Sequence, residues 1–191
     1  MYTIAEYRDC LERLAAILAQ CQVRFCLTGG AAFIAYGDPR TTQDVDLVVD
    51  AEGVTNCLPQ LLEKLAAAQF LFNHEAVRQA VSTHRQFQLF DLVSTFKVDL
   101  YPRELVPGEL SRAVEIELMP DLRLPVVCLP DLVASKLVWI SKGSHKSRRD
   151  VKVLMRIASE AEAAQVREAV LKLRLKMLLD DVLAEPDEPD V

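Results

Sequence analysis

The fold is decided by residues 27–49, which read LTGGAAFIAYGDPRTTQDVDLVV. The apolar run that leads into this stretch, residues 23–27, has the composition of a buried strand. Gly29 and Gly30 then allow the backbone to turn sharply, because glycine tolerates conformations that other residues avoid. Residues 31–36 suit a short helix whose first N–H groups can face an anion. A strand, a glycine turn and a helix are therefore expected in this order.

Two acids follow the helix at the start of a second apolar strand, residues 45–49. Side chains two apart on a strand share one face, so Asp44 and Asp46 should project together. Two carboxylates held this close repel each other, and a divalent cation removes that cost. Taken singly, a Gly-Gly is most often a plain turn and an Asp-x-Asp a cap or a solvated rim. In combination the two motifs indicate a metal-dependent phosphate site.

This combination resembles the signature of the nucleotidyltransferase superfamily typified by DNA polymerase β. The signature is an apolar residue, two small residues, a spacer of about ten residues and two acids that alternate with apolar residues. The matching positions are Leu27 or Thr28, Gly29, Gly30, Asp44, Val45, Asp46 and Leu47. The resemblance implies an α+β nucleotidyltransferase fold, with a mixed β-sheet flanked by helices and a C-terminal helical region.

The signature also implies a third carboxylate on a later, neighbouring strand. Residues 96–101, FKVDLY, alternate in the manner of a strand and place Asp99 among apolar neighbours. An unpaired carboxylate there would be costly. Asp99 is therefore expected to be the third acid of the site.

A second segment is similar to the abortive-infection (AbiEii-type) toxin nucleotidyltransferases. Residues 129–137 read LPDLVASKL, and a basic loop with an Arg-Asp pair follows at residues 142–150, KGSHKSRRD. The resemblance covers about residues 23–157. It implies a toxin that a neighbouring antitoxin controls.

The resemblance assigns roles to particular residues. Asp44, Asp46 and Asp99 would be the catalytic acids and would hold two Mg²⁺ ions, or Mn²⁺. The nucleotide, with ATP as one candidate, would be bound by Gly29, Gly30, Arg40, Thr42, Lys136 and Arg149. The residues of the basic stretch, 136–156, include seven bases and one acid, and three interpretations stay open for them: the triphosphate, the acceptor or solvent.

Three hypotheses for the function follow. The enzyme would transfer a nucleoside monophosphate from a nucleoside triphosphate to an acceptor hydroxyl, and among these toxins the implied acceptor is an RNA end such as tRNA. The second hypothesis keeps the chemistry but uses a small-molecule or protein acceptor. The third is an inactive nucleotide-binding module, because Gly30 and Ala31 stand where many superfamily members have a serine and Val153 stands where these toxins commonly have a second acid.

Composition favours a cytoplasmic protein that does not enter a membrane. No apolar run approaches the length that spans a bilayer, and the first ten residues lack the layout of a signal peptide. The formal net charge of −6 argues against a general nucleic-acid coat protein. The five cysteines show no zinc-ligand spacing and are expected to be reduced thiols.

The expected organisation is a nucleotidyltransferase core over residues 1–128, a helical region over 129–184 that completes the nucleotide site, and a disordered acidic tail over 185–191. Thr3 and Glu6 are placed to cap the first helix. Residues 161–183 are predicted to form one amphipathic helix with a leucine stripe, which would pack in the core or against a second subunit.

Overall fold

The computed structural model describes residues 3–37 and 44–186 and divides into two compact units, Met1–Val127 and Cys128–Val191. The first unit is a mixed sheet with helices, and the second is helical. The predicted α+β class, with a mixed sheet flanked by helices and a C-terminal helical region, is confirmed. Arg40, Thr42 and the tail from residue 187 onward lie outside the described residues.

The elements of the first unit are α1 (Ile4–Gln20), β1 (Phe25–Thr28), α2 (Gly29–Ala35), β2 (Asp44–Val49), α3 (Ala51–Ala67), β3 (Phe70–Leu71), α4 (His74–Ser82), β4 (Phe87–Asp91), β5 (Lys97–Tyr101), β6 (Val114–Met119) and β7 (Leu122–Val126). Those of the second unit are α5 (Leu129–Ser141), α6 (Lys146–Ile157), α7 (Glu160–Lys172) and α8 (Lys176–Ala184).

The seven strands of the described chain form one sheet in the order β3-β4-β5-β2-β1-β7-β6. β2 pairs in parallel with β5 and antiparallel with β1. β4 pairs antiparallel with β5 on the far side of the carboxylate strands. The centre of the sheet is therefore β5-β2-β1, the three strands that carry or adjoin the predicted acids and the glycine turn.

Alternation along the strands gives the sheet two different faces. One face carries the apolar core, and α1 lies against it: the Arg13 guanidinium stacks 5.0 Å from the Phe70 ring centroid and donates a 2.6 Å hydrogen bond to buried Asp91. The opposite face, which we call the open face, carries the residues between these positions, including the three predicted acids. The period of two thus separates core residues from site residues on the same strands.

The first helix begins as its sequence predicts. The Thr3 hydroxyl accepts from the Glu6 backbone N–H while the Glu6 carboxylate accepts from the Thr3 backbone N–H, forming a capping box. Pro59 lies inside α3, which continues without a break. The capping box fixes where α1 begins, and α3 accommodates Pro59 without ending there.

The prediction of a single helix over residues 161–183 is wrong. The chain forms α7 and α8 instead, because the backbone of Arg174 turns into the left-handed region (φ 59°) and the Leu175 N–H donates to the Val170 carbonyl. The break ends the helical period, so the leucine stripe does not form one face. Leu171 is exposed and Leu179 is buried.

Candidate active site

The three predicted acids lie on two neighbouring strands at the centre of the open face. Asp46 of β2 is the direct partner of Asp99 on β5, and Asp44 is the partner of Lys97. Directly opposed residues on paired strands have Cβ atoms about 5 Å apart, and the parallel pairing points both side chains to the same face. Two carboxylates far apart in the sequence therefore become neighbours through one strand pairing.

The glycine turn closes the other side of Asp46. Thr28, the last residue of β1, is the antiparallel partner of Asp46, so the chain must turn at Gly29 directly beside this carboxylate. Gly29 adopts φ +60°, and a Cβ atom there would overlap Asp46 Oδ2 and lie 2.7 Å from its Cγ. The Gly30 backbone N–H donates to the Asp46 carboxylate. The Gly-Gly motif therefore turns the chain, leaves room for the Asp46 carboxylate and donates a hydrogen bond to it.

Burial raises the pKa of the Asp46 carboxyl from 3.8 to about 6, and the negative charges of Asp99 and Asp44 act in the same direction. The Gly30 N–H and the Lys97 ammonium oppose this rise without cancelling it. The ionised form of Asp46 is therefore under-compensated by the protein alone. Such a site gains stability from additional positive charge.

Asp99 is held from two sides. The Gln88 amide on β4 donates a 2.8 Å hydrogen bond to Asp99 Oδ1, and Lys97 Nζ lies 3.0 Å from Asp99 Oδ2. The same ammonium lies 3.5 Å from Asp44 Oδ1. Burial lowers the pKa of Lys97, but the hydrogen bond and charge of Asp99 outweigh it and the net pKa is raised. Lys97 stays protonated and bridges two of the three acids.

A tyrosine completes the surroundings of Asp46. The Tyr101 hydroxyl, two residues after Asp99 on β5, donates to Asp46 Oδ1 over 3.4 Å. Burial, with the charges of Asp46 and Asp99, raises the pKa of this phenol. Tyr101 therefore remains a neutral donor and adds no negative charge to the cluster.

The donor set fits a hard divalent cation. Carboxylate oxygens are the ligands that Mg²⁺ and Mn²⁺ prefer, and burial together with the neighbouring carboxylates raises the pKa of Asp46. Within residues 3–37 and 44–186, no three His, Cys, Asp or Glu side chains form a ready-made metal-ligand group. Instead, Lys97 supplies the cation between Asp44 and Asp99, so a metal ion at these carboxylates has to compete with its ammonium.

The two predicted nucleotide residues of the second unit have different surroundings. Lys136 of α5 is 4% exposed, and its Nζ lies 2.6 Å from Asp150 Oδ2 on α6, where Asp150 is 2% exposed. Arg149 is exposed on α6. Nearby, Arg148 forms ion pairs with Asp181 and Glu185. The basic stretch therefore includes one buried pair and several surface side chains rather than one uniform patch.

Sequence reasoning missed three residues of this site. Lys97 and Tyr101 flank Asp99 at two-residue spacing, so the alternation of β5 was a signal that could have placed them on the open face. Gln88 reaches Asp99 only through the register of β4 with β5, and one sequence alone holds no signal for that register. The roles predicted for Arg40 and Thr42 concern residues outside the described chain.

Solved structures of nucleotidyltransferase fold are similar to this chain, and three of them illustrate the likeness. ANT(2″)-Ia, an antibiotic-resistance factor, has a TM-score of 0.58 at 12% identity, covering 90% of this chain and 92% of its own. The lincosamide antibiotic adenylyltransferase LnuA, solved with lincomycin bound, has a TM-score of 0.54 at 15% identity, covering 82% and 99%. An antigenic nucleotidyltransferase-like protein from Paracoccidioides brasiliensis has a TM-score of 0.55 at 22% identity, covering 95% and 94%. At these identities the likeness shows the fold.

No curated protein matches the sequence significantly. The family model described as nucleotidyl transferase AbiEii toxin, type IV toxin–antitoxin system, matches residues 11–186. This range includes the glycine turn, the three acids and the segments over residues 129–137 and 142–150. The resemblance drawn from these motifs is therefore confirmed. The chain is a nucleotidyltransferase and belongs to the AbiEii toxin family.

Proposed function

We propose that the protein uses divalent metal ions to transfer a nucleoside monophosphate from a nucleoside triphosphate to the hydroxyl at an RNA end, such as that of tRNA. The observation that carries this proposal is the pairing of Asp46 with Asp99 beside Asp44 on the open face, with the pKa of Asp46 raised to about 6. A cluster of mutually repelling acids is costly for a simple binding module and useful for metal-assisted phosphoryl transfer.

The reaction is an in-line displacement at the α-phosphorus. The acceptor oxygen forms a bond to this phosphorus, the bond to the bridging oxygen of the β-phosphate breaks, and pyrophosphate leaves. Asp99 accepts the proton of the attacking hydroxyl, while Gln88 and Lys97 hold its two oxygens in place. Two Mg²⁺ ions, or Mn²⁺, held by Asp44, Asp46 and Asp99 would neutralise charge on the attacking and leaving oxygens.

The triphosphate is assigned to the side of the carboxylates where β1 turns into α2. Gly29 and Gly30 leave room there for backbone to approach a phosphate, since neither has a side chain. Arg40, Thr42, Lys136 and Arg149 are proposed as further nucleotide-binding residues, as the family resemblance implies. Lys136 can bind the nucleotide only by sharing its ammonium with Asp150 or by leaving it.

An RNA acceptor and an antitoxin partner are proposed from the toxin family to which the chain belongs. The second candidate is a small-molecule acceptor, since LnuA was solved with lincomycin bound and is named an adenylyltransferase. The remaining candidate acceptor is a protein hydroxyl. If the protein has no turnover, it is an inactive nucleotide-binding module.

The described residues contain no helix with the length and apolar character that a membrane span requires.

The test measures whether a labelled nucleotide is transferred from the triphosphate to RNA. The purified protein is incubated with Mg²⁺, total tRNA and each α-labelled nucleoside triphosphate in turn, beside an Asp44→Ala/Asp46→Ala variant. Label retained on RNA in the wild type and absent from the variant supports the proposal and identifies the base.

Other results of the same experiment separate the alternatives. Pyrophosphate release without labelled RNA would indicate a small-molecule acceptor. Label on a polypeptide would indicate a protein acceptor. Triphosphate binding without any release indicates the inactive module. Label on RNA that persists in the double variant would show that these carboxylates do not perform the reaction.

A further inference from the structure

An apolar patch continues the open face beyond the carboxylates. Phe90 on β4 is 45% exposed, and Leu71, its partner on β3, is 55% exposed. Phe90 is also the direct partner of Lys97 on β5. The row Leu71, Phe90, Lys97, Asp44 therefore runs without interruption from the edge of the sheet to the predicted acids.

The contacts of β4 establish which face Phe90 occupies. Its neighbours Leu89 and Asp91 are buried on the core face, while Gln88, two residues from Phe90, donates to Asp99 on the open face. Because the side chains of a strand alternate, Phe90 shares the face of Gln88. Phe90 is diagonal to Asp99 in the register, a separation of about 7 to 8 Å.

The direction of the reaction assigns this patch to the acceptor, and this step rests on the proposed function. The sheet order places β4 on one side of the carboxylate strands and β1, with the glycine turn, on the other. In-line displacement puts the attacking oxygen and the leaving pyrophosphate on opposite sides of the α-phosphorus. If the triphosphate lies at Gly29 and Gly30, the acceptor approaches over β5 and β4.

We propose that Phe90 is an acceptor-binding residue on which the unpaired terminal base of an RNA acceptor stacks. A flat, half-exposed aromatic ring supports a base of any identity, because every base offers a π-face. The separation of Phe90 from Asp99 is comparable with the span from a ribose hydroxyl to the base of the same nucleoside. Lys97, the direct partner of Phe90 in this row, is already paired with Asp44 and Asp99, so the contact proposed at Phe90 is stacking on the base rather than attraction for the phosphodiester backbone.

The experiment removes each partner of the proposed stack in turn. Two single-stranded RNAs of the same sequence, one complete and one with an abasic 3′-terminal nucleotide, are titrated into the full-length wild type, Phe90→Ala and Phe90→Tyr. The matched control is Val114→Ala, which truncates an apolar side chain of similar exposure, 42%, on β6. Thermal melting confirms that each variant is folded.

The wild type, Phe90→Tyr and Val114→Ala are expected to bind the complete RNA about tenfold more tightly than the abasic RNA. Phe90→Ala is expected to lose this preference. In the transfer assay, Phe90→Ala should raise KM for RNA and leave KM for the nucleoside triphosphate unchanged.

Equal preference in Phe90→Ala and the wild type, or no preference in the wild type, would overturn the inference. A rise in KM for the triphosphate alone would assign Phe90 to the nucleotide instead. The binding measurement needs no turnover, so a base preference that depends on Phe90 in a protein that transfers no label would sink the proposed reaction and leave this subsite standing.

Discussion

Lys97 Nζ lies 3.0 Å from Asp99 Oδ2 and 3.5 Å from Asp44 Oδ1, so one ammonium bridges two acids of the candidate active site. This cation comes from the same strand as Asp99, two residues earlier. The protein therefore carries its own partial substitute for a bound metal ion, and its metal-free form has lower repulsion among the acids than three carboxylates alone would have.

The Lys97→Met variant should separate these two sources of positive charge. Without metal, it should be less stable than the wild type by roughly 1 kcal/mol, because the pair is partly exposed. Its melting temperature should rise more on addition of Mg²⁺, because the ion no longer competes with the ammonium. Thermal melting with EDTA and across a Mg²⁺ series measures both effects.

Lys172→Met is the matched control for Lys97→Met, since Lys172 forms an exposed pair with Glu168 on α7. This control should change neither the metal-free stability nor the response to Mg²⁺ appreciably. A Lys97→Met protein whose Mg²⁺ response equals that of the wild type would show that Lys97 and the metal do not compete.

The raised pKa of Asp46 predicts an unusual dependence of stability on pH. Between pH 3.8 and about 6, the folded Asp46 carboxyl keeps a proton that the unfolded chain has released. The free energy of unfolding of the metal-free protein therefore falls, through this group, as the pH rises across that window. Asp46→Asn removes the penalty and should stabilise the metal-free fold by roughly 1 to 3 kcal/mol at pH 8.

Urea unfolding in EDTA at pH 4 and pH 8 measures this effect. The difference between Asp46→Asn and the wild type should be small at pH 4 and large at pH 8. The same variant should lose transfer activity, so stability and activity change in opposite directions. A variant that is less stable than the wild type at pH 8 would contradict the under-compensated state of Asp46.

Gly29→Ala should damage the site through Asp46. The new Cβ would overlap the carboxylate in a backbone conformation that already disfavours alanine, with φ +60°. We expect a stability loss of roughly 1 to 3 kcal/mol and a loss of transfer activity of about tenfold or more. Urea unfolding and steady-state kinetics provide the two measurements.

Gly108→Ala separates backbone strain from the contact with Asp46. Gly108 has φ +84°, and a Cβ there would come within 2.5 Å of Arg112 Nη1, the far end of a flexible side chain. This variant should lose about 1 kcal/mol of stability and keep its activity. Equal losses of activity in the two variants would refute the specific role of Gly29.

The Lys136–Asp150 pair is suited to a double-mutant cycle. Both side chains are almost fully buried, so Lys136→Met or Asp150→Leu alone leaves an unpaired buried charge and should cost about 3 to 5 kcal/mol. The double variant should recover much of this stability. If Lys136 also binds the triphosphate, the double variant will be folded and still bind nucleotide poorly.

Nucleotide affinity, measured by calorimetry beside urea unfolding, completes this cycle. A double variant with wild-type nucleotide affinity would give Lys136 a purely structural role. A double variant that is stable but binds weakly would support the role that the family resemblance implies for this lysine.

The sequence was most informative where neighbouring residues alone decide the structure. The glycine turn and the Asp44–Asp46 spacing predict their strands and faces locally, and the alternation around Asp99 does the same for β5. The register that joins Asp46 to Asp99 depends on long-range pairing, so Gln88 was not predictable. The break between α7 and α8 at Arg174 was missed because the spacing of apolar residues in the sequence continues through it, although the helix does not. The burial of Lys136 depends on packing between α5 and α6.

The pairing of β2 with β5 also bears on how a newly made chain becomes active. Asp44 and Asp46 leave the ribosome well before Asp99, and β5 has to insert between β2 and β4 before the three acids meet. Contacts between distant parts of a chain form slowly compared with local ones. A chain that ends before Lys97 therefore cannot bring Asp99 beside Asp46, however intact its first motif, and we expect it to be unable to carry out the proposed reaction.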